Sequence, residues 1–209
     1  MICPKHKFIF IHIPKTAGRS VRGALRRHCY TKPQEIYRLL DLIKVPLGLQ
    51  PTKFPKSRYS KLRGHPLGVD YIDHFGEEFF QYYRFTFVRN PYDRMISYYN
   101  WKIRNGAIDS NTDFFKFVLS TIESKSFLPQ VDFIKDKDGE LLVDTIGHVE
   151  SIEKDLRQIA TDIGVDIDIP QKNKAPRLKD TYFDSRTKDV FDEFYGGDLE
   201  YFEYTYTGQ

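Results

Sequence analysis

Apolar residues run almost unbroken from Lys7 to Ile13 (KFIFIHI) and stop at Pro14. A short run rich in β-branched and aromatic residues predicts a strand buried on both faces, as in a parallel sheet. On that reading His12 is a core residue. Val21, Ala24, Leu25 and His28 follow at i, i+3, i+4 and i+7, which predicts an amphipathic helix. Ile36, Leu39, Leu40 and Ile43 suggest a second helix over 33–43. Pro46, Pro51 and Pro55 then interrupt a basic connection, KVPLGLQPTKFPKSRYSKLRGH, that reads as irregular. It is long for a loop.

RFTFV, residues 84–88, predicts a second buried strand, and Asn90-Pro91 breaks it and starts a helix with Pro near the first position. Tyr92, Met95, Ile96, Tyr99 and Ile103 keep helical spacing. A further helix is expected over 111–122, with Ser110 and Asp113 in the arrangement of a capping box. Leu141 to Ile146 reads as a strand. Val149, Ile152, Leu156, Ile159 and Ile163 mark the helix after it. The Tyr- and Phe-rich tail, 180–206, predicts short helices packed on the sheet. Strands alternating with helices, without repeats or a second domain, predict a single α/β domain over 1–209 with a largely parallel sheet flanked by helices.

Composition changes this picture little. A 209-residue chain with 40% hydrophobic and 29% charged residues is that of an ordinary globular domain, and 15% aromatics predict a ring-rich core. No apolar run approaches the ~20 residues that span a bilayer, and no signal-type stretch precedes the first strand. Cys3 and Cys29 make no metal or disulfide framework, so a reducing, cytoplasmic location is expected. Charge is more informative. Residues 1–65 carry 15 Lys/Arg against 2 Asp/Glu, and the remainder 17 against 27. Such asymmetry suggests an anionic ligand bound from the N-terminal third, although a basic solvated face would give the same counts.

Two stretches carry chemistry. In FIFIHIPKTAGRSV (8–21) a strand runs through Pro14-Lys15-Thr16-Ala17-Gly18 into a helix. A helix N-terminus offers unpaired N–H groups and a partial positive charge. Thr16, Ala17 and Gly18 are small enough to admit a phosphate or sulfate; Lys15 adds a charge, and Thr16 and Ser20 add hydroxyl donors. The Walker pattern is absent, because there is one glycine and the lysine precedes it. A plain strand–helix turn remains open on this stretch alone. In FTFVRNPYDRMISYYNW (85–101), Arg89 stands at the C-terminal end of a strand, where open parallel sheets carry their ligand crevice. It could fork onto a phosphate, with Ser97 two helical turns on, or pair with Asp93 as a structural salt bridge.

Together, IPKTAGRS and FVRNPYDRMISYY resemble the two cofactor motifs of the sulfotransferase superfamily. The likeness is greatest to carbohydrate sulfotransferases of the heparan sulfate 2-O- and chondroitin type and their small bacterial homologues. It extends to Gly64-His65, to VDTIGHVESIEKDL and to an Asn-containing loop before the last helices. The resemblance implies a P-loop-like three-layer fold, and 3′-phosphoadenosine 5′-phosphosulfate (PAPS) as sulfuryl donor with no metal. Pro14, Lys15, Thr16, Ala17, Gly18, Arg19 and Ser20 would cradle the 5′-phosphosulfate. Arg89 and Ser97 would hold the 3′-phosphate, and His65 would be the general base. Lys15 would stabilise the leaving group. Arg177, in QKNKAPRLKDTY with Asn173, Lys174 and Lys179, would help close over the nucleotide. Gln130 resembles a position near the active site. His148 stands where many relatives have Arg, and its role stays open. Lys53, Lys56, Arg58, Lys61 and Arg63 lead up to His65 and suit an acidic saccharide acceptor as well as a solvated loop. A Mg²⁺-dependent P-loop phosphotransferase and a non-catalytic anion-binding module are the alternatives.

Overall fold

The computed structural model describes residues 1–29, 46, 62, 64–168 and 182–206. The expected helix over 33–43, most of the Pro-rich connection and the loop with Arg177 lie outside the described residues.

The first apolar run forms β2 (Phe8–Phe10), after a short edge strand β1 (Ile2–Cys3). With β3 (Tyr83–Val88) and β4 (Thr145–His148) they make one sheet in the order β1-β2-β3-β4. β1 is antiparallel to β2, whereas β2, β3 and β4 are parallel. The ladder continues past Phe10, because the Ile11 N–H donates to the Phe85 carbonyl at 2.9 Å.

The helices are α1 (Gly18–Leu25), α2 (Gly68–Phe75), α3 (Pro91–Arg104), α4 (Phe114–Glu123), α5 (Ile152–Asp162) and α6 (Ser185–Tyr201). Alternation along β2 divides the core between two faces. Phe8 and Phe10, with Phe85 and Phe87, pack against Val21, Ala24 and Leu25 of α1 and Leu156, Ile159 and Ala160 of α5. Ile9, Ile11 and Ile13 pack on the other side against Tyr71 of α2, Phe79 and Phe133. The sheet is therefore the middle of three layers, as a strand buried on both faces requires. A separate ring-rich cluster joins Tyr92, Met95 and Tyr99 of α3 to Phe114 and Phe117 of α4 and Phe191 and Tyr195 of α6.

Several boundaries differ from the sequence reading. α4 starts at Phe114, and Asp113 is its N-cap, accepting from the Lys116 N–H at 3.0 Å; it is not the third residue of a box begun at Ser110. The strand expected at Leu141 begins only at Thr145, and Leu141 forms a lone antiparallel bridge with Lys135. β4 can lie against β3 because Gly147 has no Cβ, which would overlap the Phe87 ring. The tail is one 17-residue helix rather than several short ones. Asp184 starts it by accepting from the Thr187 N–H at 2.8 Å.

Candidate functional site

The three parallel strands deliver their C-terminal ends to one edge, where open sheets bind ligands. β2 leads to the Pro14–Gly18 loop, β3 to Arg89-Asn90, and β4 to Val149. A cavity of about 570 Å³ opens at this edge and is bordered by Lys15, Gly18, Arg19, His65, Arg89 and Ser97, among others. Tyr98, Trp101 and Phe127 add an aromatic wall. No carboxylate lines it among the described residues.

The loop is wound tightly. Lys15 and Ala17 both have positive φ, 69° and 56°, in the left-handed region that non-glycine residues rarely adopt. Each such residue costs about 1–3 kcal/mol, and strain of this kind collects at functional sites. Thr16, fully buried, ties the turn by donating from Oγ1 to the Ile13 carbonyl at 2.9 Å. The hydroxyl expected to donate to a ligand donates to the loop in this structure, and the Thr16 main-chain N–H is the other donor it can offer an anion. Ser20 is half-buried and stands outside the cavity lining. Pro14, Lys15, Ala17, Gly18 and Arg19 do border the cavity. The first turn of α1 contains no acidic residue to neutralise its positive end.

Cations gather around this helix end. Burial, followed by Arg104, Arg89 and Arg19, brings the Lys15 ammonium down to about 8 from its ordinary value of 10.5. Lys15 Nζ also stands 5.5 Å from the centre of the Trp101 ring. Three arginines beside a half-buried lysine at a helix N-terminus suit an anion.

Arg89 is held from behind by Gln130. The Arg89 N–H donates to Gln130 Oε1 and the Gln130 Nε2–H donates to the Arg89 carbonyl, both at 2.9 Å. Gln130 is itself fully buried, and Asp198 accepts from the N–H groups of Gln130 and Val131 at 2.7 and 2.9 Å. The Arg89 main chain is thus set by a built network. Ser97, on α3, borders the same cavity.

His65 stands on the exposed rim. Its Nδ1 is 2.9 Å from the His12 carbonyl. A carbonyl only accepts, so Nδ1 carries the hydrogen and, in the neutral ring, Nε2 is left as the acceptor. His12 is not the core residue that its apolar neighbours suggest. It stands two residues past the end of β2, half-buried, and borders the cavity with its ring 4.4 Å from that of His65. Phe8, Phe10 and His12 share one face of the extended chain, so the pattern that buries the phenylalanines carries the imidazole to the mouth of the site. His148 turns the other way. Its N–H donates to Asp155 Oδ2 at 2.8 Å and its Nδ1 is 3.7 Å from the same oxygen.

Arg94 escaped the sequence reading. It is fully buried and donates from Nε to the Pro14 carbonyl at 3.0 Å and from Nη1 to the Leu128 carbonyl at 2.9 Å. Its guanidinium lies 3.9 Å from the centre of the Phe127 ring, and Asp198 is 4.0 Å away. An arginine set among Tyr92, Met95 and Tyr98 on the buried stripe of α3 was the available signal. Among the described residues no group of three His, Cys, Asp or Glu side chains could hold a metal ion, and no helix is long and apolar enough to cross a membrane.

The chain matches the family model described as "Sulfotransferase family" over residues 1–205. A crystal structure of a sulfotransferase from Alicyclobacillus acidocaldarius is similar over 94% of each chain, at 16% identity and a TM-score of 0.46. No curated protein matches.

Proposed function

The chain belongs to the sulfotransferase family, PAPS-dependent enzymes, and on that premise we propose that it sulfates a hydroxyl of a carbohydrate, with His65 as base and Lys15 beside the leaving phosphate. The carrying observation is the cavity where Lys15, Arg19 and Arg89 surround the start of α1 while His65 stands on the rim. Its donor set suits PAPS, a compact polyanion: cations and a helix N-terminus, with no carboxylate among the described lining residues.

PAPS supplies a sulfuryl group already activated by its bond to phosphate. The chain supplies the rest. Residues Pro14 to Ser20 hold the 5′ end, chiefly through main chain, and Arg89 with Ser97 takes the 3′-phosphate. Arg177, outside the described residues, is assigned to the nucleotide by the motif resemblance alone. His65 accepts the acceptor's hydroxyl proton at Nε2 as the new O–S bond forms. Lys15 offsets the negative charge that collects on the departing phosphate, which lowers the barrier because the ammonium is already in place. The bond from sulfur to phosphate oxygen breaks, and adenosine 3′,5′-bisphosphate leaves.

A saccharide acceptor is favoured by the motif resemblance and by the cations from Lys53 to Arg63 that precede His65 in the sequence, which suit carboxylate or sulfate groups on a sugar. In this reading residues 1–209 are one catalytic domain, and two cysteines in the whole chain suit a reducing, cytoplasmic setting.

The test has two arms. Calorimetric titration with adenosine 3′,5′-bisphosphate, ATP–Mg²⁺ and a short oligonucleotide should give tight binding for the first alone. Tight ATP–Mg²⁺ binding would favour a phosphotransferase, and oligonucleotide binding an anion-binding module. Transfer of labelled sulfate from PAPS to a panel of uronic-acid oligosaccharides, neutral sugars and phenols then tests the acceptor. His65→Ala should lower turnover about 10²- to 10⁴-fold, the usual contribution of a general base. Near-wild-type turnover would remove His65 from that role.

A further inference from the structure

We propose that His12 is a second catalytic imidazole, whose Nε2–H donates to the sulfuryl group while that group passes between the start of α1 and the acceptor hydroxyl at His65. The inference rests on the reading just given and assigns a residue that neither motif resemblance nor strand pattern had marked for chemistry.

In that reaction the phosphate side of the donor lies at the first turn of α1 and the acceptor hydroxyl lies at His65 Nε2. The sulfuryl group has to occupy the space between. His12 touches both sides of that space. Its ring is 4.4 Å from the His65 ring, and its carbonyl holds His65 Nδ1 at 2.9 Å. On the other side the ring lies directly against Gly18, the first residue of α1, and a Cβ there would overlap the imidazole at Nε2, Cδ2 and Cε1. The nearest of these is Nε2, so the edge of the ring that carries a polar atom is the one turned toward the helix start. Gly18 has no positive φ to explain its identity; the space taken by His12 explains it.

A packing role alone would be met by a phenylalanine, which would continue the series Phe8, Phe10 on the same face. The chain instead places an imidazole at the mouth of the cavity, stacked on Phe10 at 5.5 Å. Burial first, and then the neighbouring His65, holds its pKa down to about 3, so the ring stays neutral near pH 7. A neutral imidazole carries one N–H. It can stabilise an oxyanion without the desolvation cost of a buried charge, as side-chain donors do in oxyanion holes.

The experiment compares two ligands that differ only in the sulfuryl group, PAPS and adenosine 3′,5′-bisphosphate, in wild type, His12→Phe and His12→Gln. Phe keeps a planar ring against His65 and Phe10 but has no N–H; Gln restores an N–H. For His12→Phe the bisphosphate affinity should stay within about threefold, while the preference for PAPS over the bisphosphate falls about tenfold, as for one hydrogen bond to a charged group. Turnover should fall about 100-fold, as on loss of one oxyanion donor, and His12→Gln should regain part of it. If His12→Phe keeps both the PAPS preference and turnover, the ring is a packing wedge and the proposal fails. If bisphosphate affinity falls as far as PAPS affinity, the ring supports the loop and the proposal fails equally. Wild type that binds neither ligand would instead sink the sulfotransferase reading itself, an outcome distinct from both.

Discussion

Arg94 donates from Nε to the Pro14 carbonyl at 3.0 Å, joining the helix after β3 to the strained turn after β2. The two stretches that carry the anion donors are thus fastened to one another by a buried cation. Burial brings Arg94 down to about 10, with Asp198 acting in the opposite direction, so it remains charged near neutral pH. Among the described residues its buried Nη2 has no hydrogen-bond partner, a cost carried by the four interactions that the rest of the group makes.

Removing Arg94 should therefore do more than weaken a loop. Arg94→Met leaves the Asp198 carboxylate buried without its cation, and breaking such a pair costs about 3–5 kcal/mol. Adding Asp198→Asn removes the stranded charge but sets an NH2 group against one of the Gln130 and Val131 N–H donors, so it should recover only part of the loss. Urea unfolding of the two variants checks this. A loss below about 1 kcal/mol for Arg94→Met would mean the pair behaves like an exposed one, contrary to its burial.

Gln130 predicts a subtler effect. It satisfies both main-chain polar groups of Arg89. Gln130→Leu, similar in volume, leaves an N–H and a carbonyl unpaired at about 1–3 kcal/mol each. Affinity for adenosine 3′,5′-bisphosphate should fall about tenfold or more, because Arg89 loses its fixed starting point. Unchanged affinity by calorimetry would show that the Arg89 side chain is positioned without this network.

Lys15 gives a prediction in protons. In the free protein its pKa is about 8, so at pH 8.5 more than half of the molecules carry a neutral amine there. A bound polyanion favours the charged form and raises that pKa. Binding of adenosine 3′,5′-bisphosphate at pH 8.5 should therefore take up most of one proton, and kcat/KM for PAPS should fall as pH rises through about 8. Calorimetry in buffers of different ionisation enthalpy measures the uptake directly. Lys15→Arg, always charged, should abolish it. Proton release on binding, or uptake that survives in Lys15→Arg, would assign the titration to another group.

Much of this architecture is legible in the chain. The unbroken apolar run Phe8 to Ile11 means a strand buried on both faces, because no amphipathic surface is left to meet water. Asn90-Pro91 starts α3 as local chemistry requires, with the Asn90 side chain accepting from the Tyr92 N–H at 3.1 Å. The two anion stretches could be named because main-chain donors at a strand–helix turn depend on local sequence. Local signals misled where two patterns overlap: Leu141 and Leu142 are apolar without being part of β4, and Asp113 caps a helix that begins after it.

Only the tertiary structure decided which polar side chains meet. His12 reads as core from its neighbours, yet its fate depends on where β2 stops and on a glycine six residues later. Arg94 can be buried because the Pro14 and Leu128 carbonyls and Asp198 arrive from three separate segments. Periodicity reports how one element divides between inside and outside. Hydrogen bonds between elements depend on the register and approach of distant segments, and those are set by packing across the sheet.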